Sequence, residues 1–500
     1  MNKPLSKSKL MAYRQCPRRL WLEVHRPKLR ADSAGTEASY AVGNQVGVIA
    51  RRIYDPDGQG TFIDLDSESL SSCLARTPDL LKLGKPVFEA GFSAAGALAL
   101  ADVLLPIAGR GPRRWRMVEV KSSGSLKEDH RDDAAVQALV AQEAGVRLSG
   151  MAVAHIDTTW TYPGGGDYSG LLKEVDLTVE VLERGPEVKE WIQEAHTVAR
   201  RRVEPRIPTG SQCNEPYACG FTSHCSSTEP QAEYPVSWLP RVSTKALKAF
   251  IAESGTIDLS DVADDLLNET QRRVKDHTLA GTTYFDATAA KAALRGLGWP
   301  AYFMDFETIN LAVPIWPGTR PYQQMPFQFS IHRIGKTGRL DHESFINLSG
   351  QDPSKDFARA LVDACGDIGP VFAYGASFEK ARLKDLAERL PRMAKRLMAI
   401  SARVVDLLPV AHEHFYHPGQ QGSWSIKSLL PAIAPELAYA NLEGVKDGGM
   451  AMNAYREATD PCTTAERRAQ IERQLLDYCG LDTFAMVRVW QHFTGRSPTH

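Results

Sequence analysis

The sequence predicts an α/β protein of two or three domains, and three observations carry that prediction. At 500 residues the chain is too long for one hydrophobic core. Short apolar runs with strand character recur along it: ALADVLLP (99–106), MVEVKSSG (117–124), YFMDFETIN (302–310) and PVFAYGAS (370–377). Between them lie amphipathic helical stretches, and the pattern changes twice. Residues 1–228 mix helices and strands and end in a cysteine-rich segment. Residues 229–298 read as helical throughout, in KALKAFIAESG, LSDVADDLLNETQRRVKDH and TAAKAALRGLGW. Residues 299–500 return to strands and then alternate with helices.

Composition excludes little and locates some things. Charge is balanced, 59 basic against 60 acidic side chains, so the average gives no sign of nucleic acid. Local arginine runs do, at Arg18-Arg19, Arg51-Arg52, Arg113-Arg114-Trp115-Arg116 and Arg200-Arg201-Arg202, although a solvated face is the better explanation of each taken alone. No apolar run of spanning length occurs, so no membrane is expected. The opening MNKPLSKSKLMAYRQCP has no apolar signal core, and a cytoplasmic location is expected. Disulfides are then not expected, and grouped cysteines favour metal binding.

In the last third, FQFSIHRI, a GKTG turn and HESFINL read as a hairpin following the strand at 302–310. A helix (PSKDFARALVDACGD) and another strand (PVFAYGAS) come next. Three antiparallel strands followed by alternating helix and strand match a ribonuclease H-like core. Gly335-Lys336-Thr337 imitates the end of a phosphate-binding loop, but the required glycine five positions earlier is Ser330. A hairpin turn accounts for it.

The strand YFMDFETIN sets a physical problem. Asp305 and Glu307 are two apart, so they share one strand face in apolar surroundings. Two desolvated carboxylates side by side repel each other unless a cation stands between them. Further down, RQLLDYCGLDTFAMVRVW places Tyr478 and Asp482 four apart, on one helix face. Glu379 follows a strand and turn in VFAYGASFEKARL. This set resembles the DEDD exonucleases of the DnaQ-like type, whose last motif is Tyr-x-x-x-Asp. DFE at 305–307 resembles the first motif, YGASFE at 374–379 the second, and YCGLD at 478–482 the last. The second motif usually carries Asp where this chain has Glu379. The resemblance implies phosphodiester hydrolysis with Mg²⁺ or Mn²⁺ held by Asp305, Glu307, Glu379 and Asp482, and Tyr478 orienting a water. Asp406, in VDLL, is expected to be structural.

The first third repeats the pattern. Asp102 lies in one apolar strand, and Glu119 and Lys121 share a face of the next. Gln137 follows on an amphipathic helix. Asp, a gap, Glu-x-Lys and then Gln resembles the RecB-like branch of the PD-(D/E)xK nucleases, which have a restriction-endonuclease-like fold. The resemblance implies that Asp102 and Glu119 hold metal, that Lys121 orients or activates the water, and that Gln137 bonds substrate or nucleophile. Glu89 is an additional acid near this set, with a salt bridge as the equal alternative. The branch often has a His in its first helical region, where this chain has Gln45.

Cys213, Cys219 and Cys225 lie within 13 residues, and Cys16 stands near the start. Some RecB-like nucleases use one early and three late cysteines to hold a [4Fe–4S] cluster, which this set resembles. Zinc is the alternative for four cysteines, although the spacing is looser than in zinc ribbons. Between the two nuclease-like parts, 229–298 is expected to be a helical linker, with AESGTIDLSDVAD as a possible helix-hairpin-helix contact to phosphate. Trp21 and Trp115, near basic residues, are candidates to stack on bases or to fill the core.

Together these resemblances imply a dual nuclease: a PD-(D/E)xK domain (1–228), a helical linker (229–298) and a ribonuclease H-like DEDD domain (299–500). DNA is the expected substrate, as single strands or ends, in repair, recombination or defence against foreign DNA. The alternatives are an RNA-processing exonuclease and a catalytically silent nucleic-acid scaffold for a helicase or other partner.

Overall fold

The computed structural model describes residues 3–496. The protein is mixed α/β with several sheets, and it divides into two compact units. One comprises residues 1–229 with Leu311–Gln323; the other comprises Pro230–Asn310 with residues 324–500. The helical middle thus belongs with the C-terminal part rather than standing alone. Among the described residues, no helix is long and apolar enough to cross a membrane.

The first unit is built on a seven-stranded sheet: β1 (Leu5–Ser6), β2 (Thr61–Phe62), β3 (Val87–Ala94), β4 (Ala97–Ile107), β5 (Arg114–Lys121), β6 (Leu148–Ile156) and β7 (Leu172–Asp176). The order is β2-β3-β4-β5-β6-β7, with β1 also pairing β4. β3, β4 and β5 run antiparallel, and β5 and β6 are parallel. The helix Glu128–Glu143 connects β5 to β6. It is buried from His130 and from Asp133 through Ala141, which explains its run of alanines and valines. His130, Asp133 and Gln137 therefore point into protein. Trp21 and Trp115 belong to this unit's core, so neither is free to stack on a base.

In the second unit, the short strands β8 (Tyr284–Phe285) and β14 (Phe415–Tyr416) pair with each other. The main sheet holds β9 (Ala301–Ile309), β10 (Met325–Ile334), β11 (Leu340–Ile346), β12 (Val371–Ala373) and β13 (Val404–Asp406). Its order is β11-β10-β9-β12-β13. The first three strands are antiparallel; β12 and β13 run parallel to β9. Gly335 to Gly338 close the β10–β11 hairpin, with Gly335 accepting from the Gly338 amide.

Strand alternation on β9 decides where the acids go. Tyr302, Met304 and Phe306 enter the core that contains Phe357 and Leu361 of the helix Ser354–Cys365. Ala301 and Phe303 face the opposite core, with Val487 and Trp490 of the long helix Ala465–Thr494. Asp305 and Glu307 continue the face of Phe303, toward the long helix.

The middle segment is less helical than its sequence suggests. The helix Lys245–Ser254 ends at Gly255, and residues 259–266 form two short 3-10 turns rather than a second helix. Asp258 explains the difference: its carboxylate accepts from the amides of Tyr234 and Ser260, both at 2.9 Å. These bonds hold the backbone against residues 234–236, where a helical path could not follow. The next helix, Glu269–Ala280, starts at a capping box between Asn268 and Gln271. No helix-hairpin-helix forms here.

Candidate functional site

In the second unit, Asp305, Glu307, Tyr478 and Asp482 line one cavity of about 370 Å³, with Lys427, Gln324 and Tyr374. β9 supplies the first two, and the long helix supplies Tyr478 and Asp482, one turn apart. Glu307, Asp482 and Tyr478 are buried; Asp305 is half-buried. Ligand atoms of Asp305, Glu307 and Cys479 all lie within 4.8 Å of one another. The Cys479 thiol faces Asp305 Oδ2 at 3.8 Å.

These acids are held above the ordinary carboxylate range. Burial pushes Asp305 well up, and Asp482, Glu307 and Glu379 add repulsion. Burial pushes Glu307 up to about 8, reinforced by Asp482 and opposed by Lys427. Asp482 is raised by burial to about 6, against a hydrogen bond from Tyr439. Burial and the same carboxylates also push the Cys479 thiol well up, so it stays protonated and acts as a weak donor to Asp305. The carboxylate oxygens of Asp305 and Glu307 are therefore the better donors of this group.

Glu379 stands apart from the cavity lining. It lies in the first turn of the helix Ser377–Arg389 and is 4% exposed, while the adjacent Phe378 lines the cavity. Its Oε2 is buried without a hydrogen-bond partner among the described residues. Burial first, and then Asp406, raise it to about 7. Asp406 has a structural task, accepting from the amides of Gly375, Ala376 and Leu408 at 2.9–3.0 Å. It thereby caps one helix and fixes the turn that leads to Glu379.

Two residues of this site carry no sequence signature. Tyr439 donates to Asp482 Oδ1 at 2.5 Å. Lys427 donates to the Lys446 carbonyl at 2.6 Å, and its ammonium lies 5.3 Å and 5.0 Å from the Tyr439 and Tyr478 ring centroids. That position leaves one fixed cation beside the carboxylates.

In the first unit, the sheet brings Asp102, Glu119, Lys121 and Gln137 together. Val103 pairs with Val118 across β4 and β5, setting Asp102 beside Glu119. Asp102 accepts from the Val120 amide at 2.7 Å. Glu119, 2% exposed, accepts from Lys121 Nζ at 2.7 Å and from Gln137 Nε2. Two further residues complete the cluster. Lys7 Nζ lies 2.9 Å from Glu119 and 3.0 Å from Asp133, and Lys121 also pairs with Asp133. Asp133 sits one turn before Gln137 on the buried helix, a spacing visible in the sequence; nothing in the sequence marks Lys7.

Charge in this cluster is arranged by opposition. Burial alone would raise Glu119, but Lys121 and Lys7 outweigh it and hold the carboxyl well below its usual range. Burial would lower Lys121, but Asp133, Glu119 and Asp102 hold it well above its usual range. Asp102 is pushed well up by burial and then by Glu119, which outweigh the opposing pull of Lys7 and Lys121. Glu89 is raised to about 7 for the same two reasons and makes no salt bridge among the described residues. Gln137 Oε1 is buried and unpaired among the described residues. Gln45 is exposed on the helix Ala34–Tyr54.

Cys16, Cys213, Cys219 and Cys225 line one small pocket, and all are free thiols. Cys16 sits between the helices Lys7–Gln15 and Pro17–His25. Arg18 ties that junction to the late segment, donating to Glu204 at 2.7 Å, the Ile207 carbonyl at 3.0 Å and Thr228 at 2.9 Å. Gln15 donates to the carbonyls of Gln212 and Tyr217, both at 2.7 Å. Burial raises the thiols of Cys219 and, to about 11, Cys225.

The fold and sites thus define a mixed α/β protein with a buried Asp/Glu/Cys cluster able to hold a metal ion. Residues 302–425 match a family described as a domain of unknown function (DUF2779). The matched span contains Asp305, Glu307, Glu379 and Asp406 and ends before Lys427, Tyr439, Tyr478 and Asp482. A comparison with curated proteins finds no match.

Proposed function

We propose that the chain is a metal-dependent nuclease that hydrolyses phosphodiester bonds, of DNA in the first place, with a site in each unit. One observation carries this: Asp305, Glu307 and Asp482 line a single cavity beside Tyr478, raised in pKa by burial and mutual repulsion. Carboxylates in that state bind protons or a cation. The strand order β11-β10-β9-β12-β13, with three antiparallel strands and two parallel ones, supports a ribonuclease H-like unit of the DEDD type.

The donor set is all oxygen, which suits Mg²⁺ or Mn²⁺. Either ion, held by Asp305, Glu307 and Asp482, would supply the positive charge that phosphodiester hydrolysis needs. The chain's own groups have distinct tasks. Tyr478 orients the attacking water, Tyr439 fixes the Asp482 carboxylate, and Lys427 presents a cation to the phosphodiester. Glu379 takes part only if its side chain turns into the cavity. In the first unit, Asp102 and Glu119 are the metal-binding pair of a PD-(D/E)xK site, Lys121 orients the water, and Gln137 offers its unpaired carbonyl oxygen.

The cysteine quartet suits a [4Fe–4S] cluster. Thiolates on one zinc, at about 2.3 Å from it, stand within about 4 Å of one another. The Cys-x5-Cys-x5-Cys spacing, looser than in zinc ribbons, favours the wider cluster. A visible absorption spectrum of anaerobically purified protein tests this. A featureless spectrum with bound zinc would replace iron–sulfur by the alternative.

A specific observation favours a second role for the first unit. Lys7 and Lys121 already neutralise Glu119 and Asp133, as in a scaffold that holds nucleic acid for a helicase or other partner. Cleavage of single-stranded DNA in a Mn²⁺ titration, with matched RNA in competition, tests the proposal. Cleavage that disappears on chelation and returns with Mn²⁺ supports it. Preferential RNA cleavage would make the protein an RNA-processing exonuclease, and binding without cleavage would leave the scaffold.

A further inference from the structure

The second unit has a cleft at the other end of its main sheet. Ala301 and Phe372, at the start of β9 and in β12, form its floor, with Trp299, Trp490 and Thr494 beside them. Along β9, Ala301 is four residues from Asp305, roughly 13 Å. Along the long helix, Trp490 is eight residues from Asp482, roughly 12 Å. The cleft is therefore separate from the acidic cavity, and no residue lines both.

Its chemistry is the reverse of the acidic cavity's. Lys291, Arg295 and Arg496 line it, all exposed, and no Asp or Glu does. None of the three forms an ion pair among the described residues, whereas Lys7 and Lys121 in the first unit's cluster are both paired. The Arg496 guanidinium lies over the Trp299 ring at 4.7 Å and the Trp490 ring at 5.1 Å. The indoles stand edge to face at 6.0 Å. Gly296 and Gly298 have φ of 79° and 87°, with open space where a side chain would stand. Only glycine takes such a path freely, and it lets a ligand come close to the loop backbone.

We infer that this cleft binds a nucleoside phosphate. Three unpaired cations around a concave surface suit a phosphate, and guanidinium groups bind it through paired N–H donors. Trp299, the partly exposed indole of the pair, gives a planar base an apolar contact once Arg496 turns toward the phosphate, and the buried Trp490 backs it. The volume, about 350 Å³, fits a ligand of one-nucleotide size. Because Trp490 and Asp482 share one helix, a ligand here bears on the element that carries the acidic site. The inference concerns binding only and stands without hydrolysis at that site.

Tryptophan fluorescence during titration with adenosine monophosphate tests this. Chelator keeps metal-bound phosphate out of the acidic cavity, and adenosine and inorganic phosphate serve as separate probes. Saturable quenching by the monophosphate is expected, weakened by about a hundredfold or more in the double variant Lys291→Ala/Arg496→Ala, which removes two charge-assisted contacts. Asp305→Ala should leave it unchanged. Both cations are exposed, so the double variant retains the fold, which circular dichroism checks. Equal binding by wild type and double variant would overturn the inference. So would binding lost in Asp305→Ala, or inorganic phosphate binding as tightly as the nucleotide.

Discussion

Tyr439 donates its hydroxyl to Asp482 Oδ1 at 2.5 Å, from a short 3-10 turn to the long helix. Burial pushes Asp482 up to about 6, and this bond opposes the push because it favours the carboxylate. Tyr439→Phe removes the donor, so the Asp482 pKa rises further. If hydrolysis needs the Asp482 carboxylate, the acidic limb of kcat/KM against pH moves upward, by about one pH unit. An unmoved limb would mean that Asp482 titrates outside the reaction.

The acidic cavity also makes stability depend on pH. Asp305 is held well above 3.8, and Glu307, Glu379 and Asp482 are raised to about 8, 7 and 6 from 4.5, 4.5 and 3.8. From about pH 4.5 to 8 these four acids bind more protons in the folded chain than in the unfolded one, so their contribution to stability falls as pH rises, while buried histidines such as His332 oppose it only below about pH 6.5. Chelator-treated protein should lose on the order of 5 °C in Tm between pH 5 and pH 8. Mn²⁺ should restore more at pH 8 than at pH 5, and Glu307→Gln should flatten the slope. A Tm that rises with pH across this window in chelator would contradict these assignments.

Arg18 is 6% exposed and holds the early helix junction to the segment carrying Cys213, Cys219 and Cys225. Arg18→Ala leaves the Ile207 carbonyl without its donor and Glu204 with only His224 at 3.4 Å, at a cost of about 2–4 kcal/mol. Urea denaturation measures the cost. Limited proteolysis should open the chain between residues 204 and 228. Arg18→Lys recovers little, because one ammonium cannot reach three acceptors set by a planar guanidinium.

Lys7 bridges Glu119 and Asp133 from 112 residues upstream of Glu119. Lys7→Met leaves Lys121 alone to balance both acids, so the Glu119 pKa rises toward its ordinary value. The expected outcome is a loss of about 2–4 kcal/mol in stability. Cleavage assigned to the first unit should fall about tenfold, while cleavage assigned to the second is unchanged. Equal loss from both would point to a general folding defect.

Legibility followed the reach of local rules. Asp305 and Glu307 were visible because strand alternation is a two-residue rule, and Tyr478 with Asp482 because helix faces repeat every four residues. Asp133 was visible on the same ground beside Gln137, but amphipathic reading treats an acid before a basic or apolar turn as solvated. Lys7 and Tyr439 reach their partners across 43 or more residues, and Lys427 bonds a carbonyl 19 residues away, separations at which no periodicity applies. The second helix expected at 259–277 was lost in its first half because Asp258 captures amides of a distant strand-like segment. Glu379 fits a motif by position, yet it is buried outside the cavity lining, where its neighbour Phe378 stands. Sequence order fixes which element carries a residue and leaves the last few ångströms to packing.

The most direct test of the dual-nuclease proposal is cleavage of end-labelled single-stranded DNA with Mn²⁺, comparing wild type with Asp102→Ala and Asp305→Ala. The expected result is that each substitution removes a different set of products and that the double variant cuts nothing. Wild-type protein that binds this DNA and leaves it intact at every Mn²⁺ concentration would contradict the proposal.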